Sequence, residues 1–214
     1  MRTPVLTVAV LVGATISYQC PSVASLLVYD RDAVLHGEAW RLVTSHLVHF
    51  DGWHFAYDLL AFGIAGALVE PRARRHLCAV SLITAVSICT FLLVARPEMT
   101  AYGGLSGVAC AVLTYLALLG LGDEQPWRMV CRSALVVLAV KLGIECATGA
   151  SILPYPSPVV FVPVWEAHVI GCGVAGLYFG AQRILASVVG RTLFGKPFCA
   201  QISARTARSG SRTL

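Results

Sequence analysis

Ser106 sits in the run Tyr102-Gly103-Gly104-Leu105-Ser106-Gly107 and opens an apolar stretch that continues to about Gly122. A serine in the first turn of a helix meets backbone N–H groups with no intrahelical partner and the positive end of the helix dipole. Both favour a developing negative charge. Glycines at 103, 104 and 107 permit a tight loop and close approach of a neighbouring backbone. Packing is a competing explanation, because Gly103, Gly107 and Ala111 have the small-x-x-x-small spacing of touching membrane helices. A histidine within reach would separate the two, since a Ser/His pair supplies a nucleophile and its general base.

His168 is the candidate base. It lies in the last long apolar segment, and an ionisable group there points to function. Gly171 and Ala175 follow it at helical spacing and make a small-residue stripe along which another helix could approach closely. If that helix begins at Ser106, the imidazole can reach the hydroxyl. The nearest carboxylate in sequence, Glu166, is two residues back and directed elsewhere, so a dyad is expected rather than a Ser-His-Asp triad. The competing reading is a histidine bonded to a helix carbonyl.

A third group surrounds the start of another apolar segment: His46, His49 and His54, with Tyr57 and Asp58 one turn beyond His54. Polar groups at that depth can line a cavity and donate to an oxyanion, and such donors are worth ~3–4 kcal/mol each on removal. Three histidines and an aspartate invite a metal, but the spacing is neither HExxH nor another recognised metal pattern, so neither metal nor cofactor is expected. Lys141 and Glu145, spaced i, i+4 within an apolar segment, read first as a structural ion pair. Ion translocation through that pair is the rival.

The elements that must position these residues follow from composition. Of 214 residues, 57% are hydrophobic and only 13% charged, about half the charged share of a soluble domain. Apolar runs of membrane-spanning length recur, so the fold class is an all-α membrane protein. Six segments are expected: about Pro4–Tyr29 (a retained helix, not a cleaved signal), Trp53–Glu70, Leu77–Ala95, Gly104–Gly122, Met129–Thr148 and Val164–Ser187. A semi-polar loop over 30–52 carries Trp40-Arg41. Pro71 with Arg72, Arg74 and Arg75 stops the second segment, and a loop with Pro154, Pro156, Pro158 and Pro163 precedes the sixth. Residues 1–190 form the membrane domain, and 191–214 a basic tail expected to be mobile. The eight cysteines include no CxxC and read as free, buried, small residues.

Six spans place both termini and the loops after segments two and four on one side. That side carries twelve of the sixteen Lys and Arg; Arg31, Arg41 and Arg96 lie on the other, and Lys141 falls within a segment. The positive-inside rule makes the first side, with both termini, cytoplasmic. It also explains the net charge of +5 without a nucleic-acid partner. His54, Ser106 and His168 then all lie toward the outward face.

The run from Trp40-Arg41 through His46, His49 and His54 to Asp58 resembles the first loop and second helix of rhomboid intramembrane serine proteases. Gly104-Leu105-Ser106-Gly107 resembles their nucleophile motif, and Ala167-His168-Val169-Ile170-Gly171 their sixth-helix motif. The resemblance covers about residues 1–190 and implies a six-transmembrane-helix rhomboid-like bundle in the bilayer. It makes Ser106 the nucleophile and His168 the general base and acid. The Ser106 N–H and the His54 side chain would form the oxyanion hole, supported by Gly104, Asp58 and the buried polar His49. Two positions depart from the pattern: Asp58 stands where the family commonly has asparagine, and Cys110 where it often has a tyrosine stacked on the base. Lys141-Leu142-Gly143-Ile144-Glu145 with Trp165-Glu166-Ala167-His168 is similar to the bacterial rhombosortase branch, associated with proteins bearing a GlyGly-CTERM tail. The implied activity is cleavage of membrane-anchored protein substrates in or beside their membrane segment, in a bacterial inner membrane, with the site open to the extracytoplasmic side. The alternative is a catalytically weak or inactive rhomboid-like protein that binds membrane clients.

Overall fold

The computed structural model describes residues 3–154 and 164–189. The proline-rich loop over 155–163 and the basic tail over 191–214 lie outside the described residues. Eight helices run in the order α1 (Val5–Gln19), α2 (Pro21–Leu27), α3 (Arg31–Leu35), α4 (Arg41–Thr44), α5 (Gly52–Ala95), α6 (Ser106–Gly120), α7 (Trp127–Thr148) and α8 (Trp165–Val189). Two dipeptides, β1 (Tyr29–Asp30) and β2 (Ala101–Tyr102), pair antiparallel with Tyr29 opposite Tyr102. This small ladder draws the residues before Ser106 against the end of α2.

The first expected segment is broken rather than continuous. α1 and α2 meet at 116°. The cause is local: Pro21 has no N–H for the helix ladder and excludes α conformation from the residue before it. Cys20 is accordingly extended, with φ −119° and ψ 95°. The 30–52 loop also holds more order than expected, namely α3, α4 and a 3-10 turn over Ser45–Leu47. Buried Arg41 ties this loop down. Its Nη1 donates to the carbonyls of Ser25 (3.0 Å) and Val28 (2.7 Å), and its Nε to Glu38 (2.7 Å).

α5 has 44 residues, ~66 Å if straight, roughly twice the thickness of a hydrocarbon core. It is two helices in one run. Ala73, two residues past Pro71, has non-helical angles (φ −151°, ψ 45°). The expected stop is therefore real and falls at Ala73. The six expected segments correspond to α1–α2, the two parts of α5, α6, α7 and α8. By length and composition Gly52–Ala95 and Trp165–Val188 can cross a membrane, and the bent α1–α2 pair adds a third if it counts as one span. α6 is apolar but only 15 residues long.

α6 is the centre of the core. Val108, Val112, Tyr115 and Leu119 pack with Phe62, Ala65 and Val69 from one part of α5, Leu77 and Val80 from the other, and Ala175 from α8. Between apolar helices in lipid, close packing replaces the hydrophobic effect as the driving force. Polar pins complete the frame. The Glu70 carboxylate accepts from the Leu6 N–H (2.9 Å), the Thr7 N–H (2.8 Å) and the Thr7 hydroxyl (2.8 Å). It thereby satisfies amides at the start of α1 that have no intrahelical partner. Arg72 holds the buried Asp123 at 3.1 Å, just before α7.

Candidate active site

Ser106 is the first residue of α6, half-buried, with its neighbours Leu105 and Gly107 buried. The loop that delivers it is set by two glycines. At Gly103 a Cβ would lie 2.8 Å from the Val48 carbonyl oxygen. Gly104 has φ +142°, where other residues are strained. A Cβ there would also lie 2.6 Å from Cε1 of His54, so the imidazole packs directly against Gly104.

His46 fastens the same loop from behind. Its Nδ1 is 3.0 Å from the Gly104 carbonyl, and its Nε2 is 3.2 Å from that of Ala85 and 3.7 Å from the Cys89 sulfur. Burial pushes the imidazole below its ordinary range, so it is neutral with one N–H. Both ring nitrogens face carbonyl oxygens, and the neutral ring donates to one of them, Gly104 or Ala85.

Asp58 is buried between two histidines. Its Oδ2 is 3.1 Å from Nε2 of His49 and 3.1 Å from Nε2 of His54. The Leu105 N–H lies 3.4 Å from the same His49 nitrogen. A histidine-paired aspartate is one of the ways in which a carboxylate can be kept beside an oxyanion site. The arrangement turns Nε2 of His54 toward Asp58.

His168 comes from α8, and the crossing of α8 on α6 puts it near Ser106. A Cβ at Gly171 would overlap the Gly107 carbonyl oxygen, and one at Gly107 would lie 2.8 Å from the Ala167 carbonyl oxygen. The small-residue stripe of the sixth segment therefore does face the serine helix. Ser106 and His168 flank this contact and line one cavity of ≈190 Å³ with Tyr57, Asp58, Cys110 and Lys141, room for a few waters. Ser106 and His168 are not hydrogen-bonded to each other among the described residues. Unliganded sites often tighten such bonds only with substrate.

The partner that His168 does have went unread in the sequence. Its Nδ1 is 2.8 Å from Oε2 of Glu145, which is 2.6 Å from Nζ of Lys141; that nitrogen is 3.0 Å from the same Nδ1. Lys141 and Glu145 are the ion pair expected from their spacing, with His168 as its third member. Glu166, the carboxylate nearest in sequence, instead pairs with Arg96. The signal available was a glutamate, with Lys141, in the apolar second half of α7, whose rotational phase spacing alone does not fix.

The structure thus brings Ser106, His168, His54, Asp58, Gly104 and His49 to one end of the α5–α6–α8 core. A family described as a rhomboid domain matches residues 36–186, which take in every one of these positions.

Proposed function

The chain belongs to the rhomboid family of intramembrane serine proteases, and from that premise we propose that it is an active protease using a Ser106–His168 dyad. The observation that carries this reading is that Ser106 and His168 line one cavity beside the Gly107–Gly171 crossing.

Nδ1 of His168 is occupied by α7, so Nε2 is the nitrogen that serves the serine. The Ser106 oxygen attacks a substrate carbonyl carbon while Nε2 takes the hydroxyl proton. The tetrahedral oxyanion receives the Ser106 N–H and the His54 side chain. Collapse breaks the C–N bond, and His168 gives its proton to the leaving amine. Water, activated by the same nitrogen, then cleaves the acyl ester. Asp58, which lines the same cavity, marks its route.

The finer reading is a six-span rhombosortase of a bacterial inner membrane, with both termini cytoplasmic. Its substrates are membrane-anchored proteins with a GlyGly-CTERM tail, cut in or next to the membrane segment. Residues 1–190 are the working domain and 191–214 a flexible tail. The similarity of the Lys141–Glu145 and Trp165–His168 stretches supports this branch.

A fluorophosphonate probe tests the chemistry directly. Wild-type protein in native membranes is expected to label strongly, and Ser106→Ala and His168→Ala to label at background. Equal labelling of wild type and Ser106→Ala would instead favour the client-binding alternative. The substrate class is tested by co-expression with a GlyGly-tailed protein, which should lose its tail with wild type and keep it with Ser106→Ala.

A further inference from the structure

We propose that Glu145 is the positioning residue for His168, and that Lys141 sets the charge of that pair; this rests on the protease reading above. The α7 helix buries only two of its residues, Cys131 and Glu145. Glu145 is 1% exposed, and its Oε2 is 2.8 Å from the imidazole. A carboxylate carried that far inward on a helix otherwise turned outward has a specific contact to make.

The consequence is a choice of tautomer. Neutral imidazole has one N–H. A carboxylate at hydrogen-bond distance accepts from Nδ1 and leaves the lone pair on Nε2, the form able to take a proton from Ser106. Lys141 supports a rival arrangement, because its Nζ is 3.0 Å from the same Nδ1. If the ammonium donated to Nδ1, the ring proton would sit on Nε2 and the base would be blocked. With both donors directed at Oε2 of Glu145, each has an acceptor and the productive tautomer is selected.

Charge accounting gives Lys141 its part. Lys141 and Glu145 together are neutral, so the carboxylate stays ionised although buried. When His168 takes the serine proton, the trio becomes +1, opposite an oxyanion of −1. No net charge is created in a poorly solvated site. Cys110, on the α6 side of the cavity, offers the ring no aromatic face, so the carboxylate does the orienting. The titratable and charged groups around His168 are Asp58 and Tyr57 from α5, Cys110 from α6, Lys141 and Glu145 from α7, and Cys172 one turn along α8.

The test is fluorophosphonate labelling of the full-length protein, measured as a rate across a pH series, for wild type, Glu145→Gln and Lys141→Met. Labelling by a serine that needs a free base is expected to rise with pH to a plateau, and the midpoint of that rise is read for each variant. Glu145→Gln removes a negative neighbour, so the rate is expected to fall by roughly 10²–10⁴-fold and the midpoint to move down. Lys141→Met removes a positive neighbour, so its midpoint is expected to move up. Opposed shifts show that both charges act on the ring; a rate loss in Glu145→Gln that persists on the high-pH plateau, where the base is already deprotonated, shows lost orientation, which a purely structural ion pair would not produce. Midpoints that stay at the wild-type value, or shift in the same direction in both variants, overturn the role of Glu145. Should Glu145→Gln fail to fold, the upward shift in Lys141→Met supports the proposal and an unmoved midpoint overturns it. Wild-type labelling no higher than Ser106→Ala is a different failure: it removes the protease reading, and this role with it.

Discussion

The two helices that serve His168 are held in opposite ways. In α6 every residue except Ser106, Leu113 and Leu118 is buried. Its small residues let α8 approach until backbones touch at Gly107 and Gly171. α7, seven residues longer, leaves Met129, Val130, Val136, Val137, Val140 and Ile144 exposed. It is attached at points: Cys131 against Gly120, Asp123 on Arg72 just before its start, and Glu145 on His168 near its end. Ser106 is placed by packing, which is stiff and tolerates no added volume. His168 is placed by packing on one side and on the other by polar contacts to Glu145 and Lys141 of α7.

Added volume should break the α6–α8 contact and leave α7 untouched. Gly171→Ala is expected to cost more than about 3 kcal/mol, because the new methyl meets backbone that cannot move aside; unfolding in detergent measures it. At the polar attachment of α7, Asp123→Ala removes a buried partner of Arg72 and is expected to cost about 2–3 kcal/mol. The same melts, with protease sensitivity of the α6–α7 loop, report it. His46 tests a polar contact on which the entry to α6 leans. Its folded value lies below that of the free side chain, so the unfolded state binds more protons as pH falls through about 6.5. Stability is then expected to be full above that pH and to decline below it. His46→Gln should flatten that decline. The smallest effect belongs to Gly143→Ala on α7, where nothing lies within 4 Å of the added carbon. It is expected to stabilise by up to about 1 kcal/mol through helix propensity. A loss at Gly143 as large as that at Gly171 would erase the contrast between the helices.

The parts of the site legible in the sequence were those whose contacts run along one helix or through glycine. Asp58 follows His54 by four residues and meets it at 3.1 Å; Lys141 and Glu145 do the same at 2.6 Å. The Gly107–Gly171 approach was readable because small residues at helical spacing have few other uses in a membrane. What stayed hidden crosses between helices by side chain alone. The pairing of His168 with Glu145 spans 23 residues, and apolar segments that are mostly lipid-facing carry little periodicity to fix which face turns inward. The break at Cys20–Pro21 was written locally, but a run of apolar residues on both sides masked it.

The carboxylate of Glu70 has a consequence for how the protein is made. The amides of Leu6 and Thr7 that it satisfies lie 64 and 63 residues earlier in the chain. While the ribosome is still short of residue 70, the start of α1 has no such acceptor from its own protein, and each such group is costly in lipid. α1 is therefore expected to take its final seat late: although it precedes α5 in the chain, the acceptor for its first amides exists only after the first part of α5 has been made and has brought Glu70 alongside.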